Sequence, residues 1–319
     1  MQLRKRWMIA VRCLSVGLTL GATAQNARAE RDDPSLWLGG LQDAVAGDLR
    51  AGKPLVVQVH VALCDSGMIN CGGKGLGDGD SLEKNLYWAT TEGFRGWFDR
   101  RGSGWKRIYR KTNTGDEGAA LPEVLEVIVW RKTVKPTEAW RRRGVLAPFE
   151  VDVVASAWRG SAINHALDAY VKDLFGSAPV TLRLDDGTTL AAGGAARLVA
   201  YTGHNRWMDL PPTDWAAARA SAGVNPPVKG TIAVACYTAA YLADGVSSAA
   251  RVPLLFTADF LCAGGAGVDG AVSAFSQGEP FSGIRMAAAR AYAEGEEKPV
   301  GRVQSVFINP GDRRWKAPH

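Results

Sequence analysis

Residues 196–206, ARLVAYTGHNR, and residues 231–238, TIAVACYT, decide the fold. Each begins as a short apolar run with no interior proline or glycine, the pattern of a strand buried on both faces. Each then stops on a reactive side chain. The first ends at Thr202-Gly203-His204, where the glycine lets the chain turn sharply. The second ends at Ala235-Cys236, and residues 237–243 (YTAAYLA) read as the start of a helix.

The same alternation extends outward from these two runs. Residues 55–63 (LVVQVHVAL), 124–130 (VLEVIVW), 149–155 (FEVDVVA) and 253–257 (PLLFT) read as further strands. Residues 161–175 carry Ile163, Ala166, Leu167, Tyr170, Val171 and Leu174 at helical spacing. Residues 264–275 and 284–294 also read as helices, and residues 303–308 as a late strand. Asp185-Asp186-Gly187 between two short β-prone runs predicts a hairpin. Asp80-Ser81-Leu82-Glu83 has the spacing of a capping box and predicts a helix over residues 80–98. The expected fold class is therefore α/β: a mostly parallel sheet flanked by helices on both faces.

In such sheets functional groups gather at the carboxyl ends of the strands. Asp65, His204, Cys236 and Asp259 all fall at or just beyond predicted strand ends. Of the four histidines, His319 is the last residue, His165 sits toward the polar side of a helix, and His60 lies inside a strand. His204 alone follows a strand directly. A thiol at the start of a helix gains from the dipole and the free N–H groups there. An imidazole beside it would take the thiol proton and later return one to a leaving group. The ordinary alternatives are a packed histidine and a buried or disulfide-bonded cysteine.

LVAYTGHNR, with His204, and TIAVACYT, with Ala235 and Cys236, resemble the paired blocks of the cysteine peptidase clan that includes caspases, legumains and gingipains. That resemblance implies a caspase-like α/β domain over residues 30–319, with His204 as acid and base and Cys236 as nucleophile. It also implies an oxyanion hole made by the backbone N–H groups of Cys236 and Asn205. Asn205 stands where the clan has glycine; asparagine tolerates unusual φ better than most residues, although its side chain would sit close to a substrate carbonyl. In a caspase-like sheet the first strand neighbours the histidine strand, so Asp65 is the expected orienter of His204, against a simpler role capping its own loop. Trp207, Met208 and Asp259 are candidates to line the substrate pocket, and the two apolar residues serve equally well as core. VALCD (residues 61–65), GDGDSLEKNLYW (77–88) and GHNRWMD (203–209) are in addition similar to a group of uncharacterised exported bacterial proteins, which implies a shared domain without an activity.

The amino end has the three parts of a secretory signal. Arg4, Lys5 and Arg6 are basic, residues 7–20 are apolar apart from Arg12, and Ala27-Arg28-Ala29 is a small-x-small cleavage site. The apolar run is shorter than the roughly 20 residues that span a bilayer. The expected product begins near Glu30, is periplasmic or secreted, and has no membrane contact once the signal is removed. The 319-residue chain holds 38 Lys+Arg and 32 Asp+Glu; the signal accounts for five of the basic residues and no acidic one, leaving 33 against 32. The basic balance thus belongs to the signal and does not argue for a nucleic-acid partner.

Four cysteines remain beyond the signal: Cys64, Cys71, Cys236 and Cys262. In an oxidising compartment an even count reads as disulfides. Cys64 with Cys71 would close one short loop; Cys236 with Cys262 would cap the nucleophile. Asp78, Asp80 and Glu83 offer oxygen ligands but not at EF-hand spacing. GGKGLG (residues 72–77) lacks the Gly-Lys-Ser/Thr ending of a phosphate loop. No metal and no cofactor is expected. The expected activity is hydrolysis of a protein or peptide substrate by a cysteine hydrolase; the alternative is a catalytically silent binding domain of the same fold. A third reading, a non-peptidase hydrolase on another α/β scaffold, is disfavoured by the lack of a GxSxG nucleophile elbow.

Overall fold

The computed structural model describes residues 33–113, 122–176, 179–223 and 225–316; the segment expected to be a secretory signal and His319 lie outside them. In chain order the strands are β1 (Leu55–Ala62), β2 (Lys106–Thr112), β3 (Val124–Val134), β4 (Phe149–Trp158), β5 (Pro179–Arg183), β6 (Thr189–Gly193), β7 (Leu198–Thr202), β8 (Lys229–Val234), β9 (Arg251–Thr257) and β10 (Phe307–Ile308). Eight of them form one sheet in the order β10-β9-β8-β7-β1-β4-β3-β2. The central pairs β4–β1, β1–β7, β7–β8 and β8–β9 are parallel. Strands β2, β3 and β10 run antiparallel at the two edges. Strands β5 and β6 form the separate hairpin around Asp185-Asp186-Gly187, where Gly187 takes φ +82°.

Helices cover both faces, and the alternation of side chains along each strand explains why. On one face Leu198, Ala200, Ile232 and Val234 join a cluster with Trp37, Leu41 and Val45 of the helix Pro34–Arg50. The helices Ala266–Ser276 and Phe281–Gly295 add Val268, Val272, Ile284 and Ala288 to it. On the other face Val199, Tyr201, Ala233 and Ala235 pack with Ile163, Leu167 and Tyr170 of the helix Ile163–Leu174 and Leu242 of the helix Thr238–Val246. The sheet is thus the middle layer of three, as its near-continuous apolar strands require.

Several tryptophans are fixed by the indole N–H as well as by packing. Trp88 donates to Glu126 at 2.8 Å, Trp130 to Asp99 at 2.7 Å, and both Trp97 and Trp105 to Asp269 at 3.0 and 2.9 Å. The first two tie β3 to residues 88–99, and the last two tie that segment and the approach to β2 to the helix Ala266–Ser276.

Two local expectations fail. Residues 80–93 are a chain of turns, and a helix forms only over Phe94–Asp99. The buried Asn85 is the reason. Its side chain accepts from Cys64 N and Tyr87 N and donates to Cys64 O and Asp78 O, so tertiary bonds replace those of a helix. Glu83 meanwhile pairs with Arg95 at 3.1 Å instead of closing a capping box. The late strand shrinks to two residues because Val300–Val303 turns helical after Pro299.

Candidate active site at the strand ends

Strands β7 and β8 are parallel neighbours, with Thr202 opposite Val234. His204 and Cys236 each follow two residues later, so both leave the sheet at the same rim. Adjacent strands lie about 4.8 Å apart. Val61 of β1 is opposite Thr202, which puts the Cys64-Asp65 loop beside the histidine loop. The pairings β1–β4 and β1–β7 lie on opposite sides of β1, so this rim is also where the strand order reverses, the usual location of a crevice in open α/β sheets.

Gly203 makes the turn out of β7 possible. A Cβ there would meet Ala62 O and Tyr201 Oη at 3.0 Å each, and its φ is +150°. Asn205 follows with φ −80° and ψ 84°, an ordinary backbone for any residue, so the missing glycine costs the turn nothing. Asn205 is fully buried, and its side-chain amide donates to the carbonyl of Cys236. The two strand-end loops are therefore bolted together by one side chain. Its other end, Oδ1, is buried without a partner among the described residues. An unpaired buried acceptor costs about 1–3 kcal/mol.

The His204 ring is partly buried, and burial is the main cause of its pKa lying below 6.5. Asp209, whose Oδ2 is 3.6 Å from Nε2, pulls the other way, and Arg206 adds to the lowering. Burial thus favours the neutral imidazole, the form able to accept a proton. The Cys236 sulfur is a free, partly exposed thiol and donates to Leu261 O at 3.6 Å. No hydrogen bond joins it to the His204 ring among the described residues. Tyr237, next in line, takes a left-handed backbone with φ 53°. The helix then begins at Thr238, whose N–H is taken by Thr257 Oγ1 at 3.0 Å, so Cys236 is not the capping group. Neither the Asn205 nor the Cys236 backbone N–H meets a protein acceptor among the described residues.

The other candidates divide. Asp65 does not orient His204: its Oδ1 accepts from Gly67 N at 2.8 Å and holds its own loop turn. The carboxylate facing His204 is Asp209, five residues along the same chain. Trp207 does not line a pocket either. It is 7% exposed and packs edge-on against Tyr201 and Tyr170, with ring centroids 5.1 and 5.8 Å away. Met208 is exposed. Asp259 is exposed and braces the thiol loop, since its carboxylate accepts from Tyr237 Oη at 3.1 Å and Phe260 N at 2.8 Å, and its backbone carbonyl accepts from Tyr237 N. Cys64 and Cys71 are joined in a disulfide with Cα atoms 6.1 Å apart, while Cys236 and Cys262 are both free. Cys262 was visible in the sequence only as a disulfide half. Burial pushes its thiol up to about 11.

The two remaining described histidines are occupied elsewhere. His60 is buried between Asp173, 2.9 Å from Nε2, and the indole N–H of Trp158, which donates to Nδ1. His165 pairs with Glu123 on the surface. Among the described residues no group of three or more His, Cys, Asp or Glu side chains is arranged to hold a metal, and no helix is long and apolar enough to cross a membrane.

The fold and the site together define an α/β protein with a thiol and a neutral imidazole at one rim of a mostly parallel sheet. No family model, curated protein or solved structure matches the chain.

Proposed function

We propose that this chain is an exported cysteine hydrolase of caspase-like type that cleaves an amide bond of a protein or peptide substrate. The observation that carries the reading is the bond from the Asn205 side chain to Cys236 O. It fastens the histidine loop to the cysteine loop, and a pair of residues 32 positions apart acquires a fixed mutual placement. The position of the first strand beside the histidine strand agrees with the caspase-like resemblance.

The chemistry follows from the groups present. Neutral His204 takes the Cys236 proton, and the thiolate attacks the substrate carbonyl carbon. The resulting oxyanion is held by the unengaged N–H group of Cys236, and by that of the buried Asn205 once substrate binding opens the histidine loop. As the C–N bond breaks, the imidazolium gives its proton to the departing amine, leaving a thioester. Water, deprotonated by His204, then attacks the thioester; the acid leaves and the thiol is restored. Rotation of the thiol away from Leu261 O toward His204 precedes the first step; such bonds commonly tighten only with substrate bound.

The thiol's contact with Leu261 O favours a second reading, a silent binding domain in which Cys236 never meets His204. Turnover of a fluorogenic peptide library separates the two. Cleavage by the reduced protein, abolished in Cys236→Ala and reduced about 100-fold or more in His204→Ala, supports the hydrolase. Cleavage that survives Cys236→Ala, or no cleavage of any member, contradicts it.

A further inference from the structure

Cys236 and Cys262 sit on loops that leave adjacent parallel strands, β8 and β9. The Cys236 sulfur lies 3.6 Å from the carbonyl oxygen of Leu261. That oxygen belongs to the peptide unit that ends at Cys262 Cα, which standard peptide geometry places about 2.8 Å further on. The sulfur is therefore within about 6.5 Å of Cys262 Cα, so a modest shift of the intervening loop brings the two sulfurs into bonding range. Residues 258–265 contain no helix or strand; Gly264 and Gly265 are packed closely against Glu92 and Trp97, so the shift falls on residues 260–262, which are exposed or half-buried. Both thiols are free and partly exposed, so a small reagent reaches them.

We infer that Cys236 and Cys262 form a reversible disulfide by exchange with a low-molecular-weight disulfide, and that this cystine is the off state of the site. In the first exchange the Cys236 thiolate attacks one sulfur of the reagent. One thiolate leaves and is protonated, and a mixed disulfide remains on Cys236. In the second, Cys262, having lost its proton to solvent, attacks the Cys236 sulfur. The second half of the reagent leaves as a thiol. The protein dithiol loses two electrons and two protons, and the reagent disulfide gains them as two thiols. The order is set by the half-buried Cys262 thiol, whose raised pKa makes it the slower attacker. The Cys64–Cys71 bridge takes no part. The regulatory meaning rests on the hydrolase reading; the exchange itself does not.

Glutathione buffers of graded oxidised-to-reduced ratio, followed by alkylation, intact mass and peptide mapping, test the inference. In the wild type the two thiols should disappear together, with a Cys236–Cys262 cystine and no retained glutathione. In Cys262→Ser, glutathione should be trapped on Cys236. Wild-type protein that carries glutathione on Cys236 or keeps both thiols at every ratio, without the cross-link, overturns the proposal. Labelling of Cys236 by a peptidyl electrophile should fall more than tenfold in the oxidised wild type and return with reductant. A cross-link that forms in a protein the electrophile never labels, even when reduced, would refute the hydrolase reading and leave the exchange intact.

Discussion

At the residue scale, the chemistry depends on keeping His204 neutral, and two opposed influences decide that. Burial and Arg206 disfavour the imidazolium, while Asp209 favours it; burial prevails. Asp209→Asn removes the one group that supports the charge, so the His204 pKa should fall further, as NMR titration of its ring would show. The stability consequence has a definite sign. A histidine whose folded pKa is depressed contributes stability that is full above its ordinary value of 6.5 and is lost as pH falls through the lower folded value. Urea midpoints should therefore rise with pH across that window more steeply in wild type than in His204→Gln. Asn205 is the second critical residue. Asn205→Ala should cost about 1–2 kcal/mol by leaving Cys236 O without its donor, and should slow alkylation of Cys236 by freeing its loop. Asn205→Asp, which turns an acceptor toward the same carbonyl, should be worse than alanine. That Asn205 acts through its side chain was not legible in the sequence, where it entered only as a backbone donor replacing glycine. Asp209 was missed because a carboxylate on the same loop has no periodic or motif signal. The expectation for Asp65 rests on strand adjacency alone, which brings its loop beside His204 but does not aim its carboxylate, and that carboxylate accepts from Gly67 N instead.

At the element scale, what the sequence made readable was whatever hydrophobic periodicity controls. Strands β1, β7, β8 and β9 are mostly apolar, and burial is complete along each, buried polar residues such as Gln58, His60, Lys229 and Arg251 included. Strand β2 is KRIYRKT and escapes that reading, because an edge strand facing solvent needs no apolar face. It is held instead by Arg110, whose Nε is 2.5 Å from the fully buried Glu126. Residues 80–93 mislead for the opposite reason. The capping pattern is present, but Asn85 makes four hydrogen bonds with backbone groups at Cys64, Asp78 and Tyr87, and these outweigh local helix propensity. Asn85→Ala leaves those groups unpaired in a buried setting and should destabilise the protein by about 2–4 kcal/mol, measurable by equilibrium urea unfolding. An effect below about 0.5 kcal/mol would show that this clamp does not shape the loop.

At the scale of the whole molecule, the parallel centre brings the loop beginnings of its five strands to one rim, and their order across the sheet is set by pairing rather than by position in the chain. That is why the sequence could nominate the strand ends but not their neighbours. The wrapping segments are pinned by carboxylates that accept indole N–H groups. Asp269 is the clearest case, holding Trp97 and Trp105 from elements more than 160 positions away in the chain. Asp269→Ala should lower stability by about 2–4 kcal/mol and shift tryptophan emission to the red, while leaving the reactivity of Cys236 within twofold of wild type. A loss of reactivity beyond that would mean that the Asp269 clamp also holds the loop 258–265 that precedes its helix and, through it, the thiol.

The account turns on Cys236 and His204 working as a pair, and the pH profile of Cys236 alkylation in the reduced protein tests that most directly. The second-order rate constant with iodoacetamide, followed by peptide mapping from pH 5 to 9, should exceed that of His204→Ala by at least about tenfold near pH 6.5, with the two profiles converging at high pH where the thiol ionises unaided. Superimposable profiles for the two proteins would contradict the pairing.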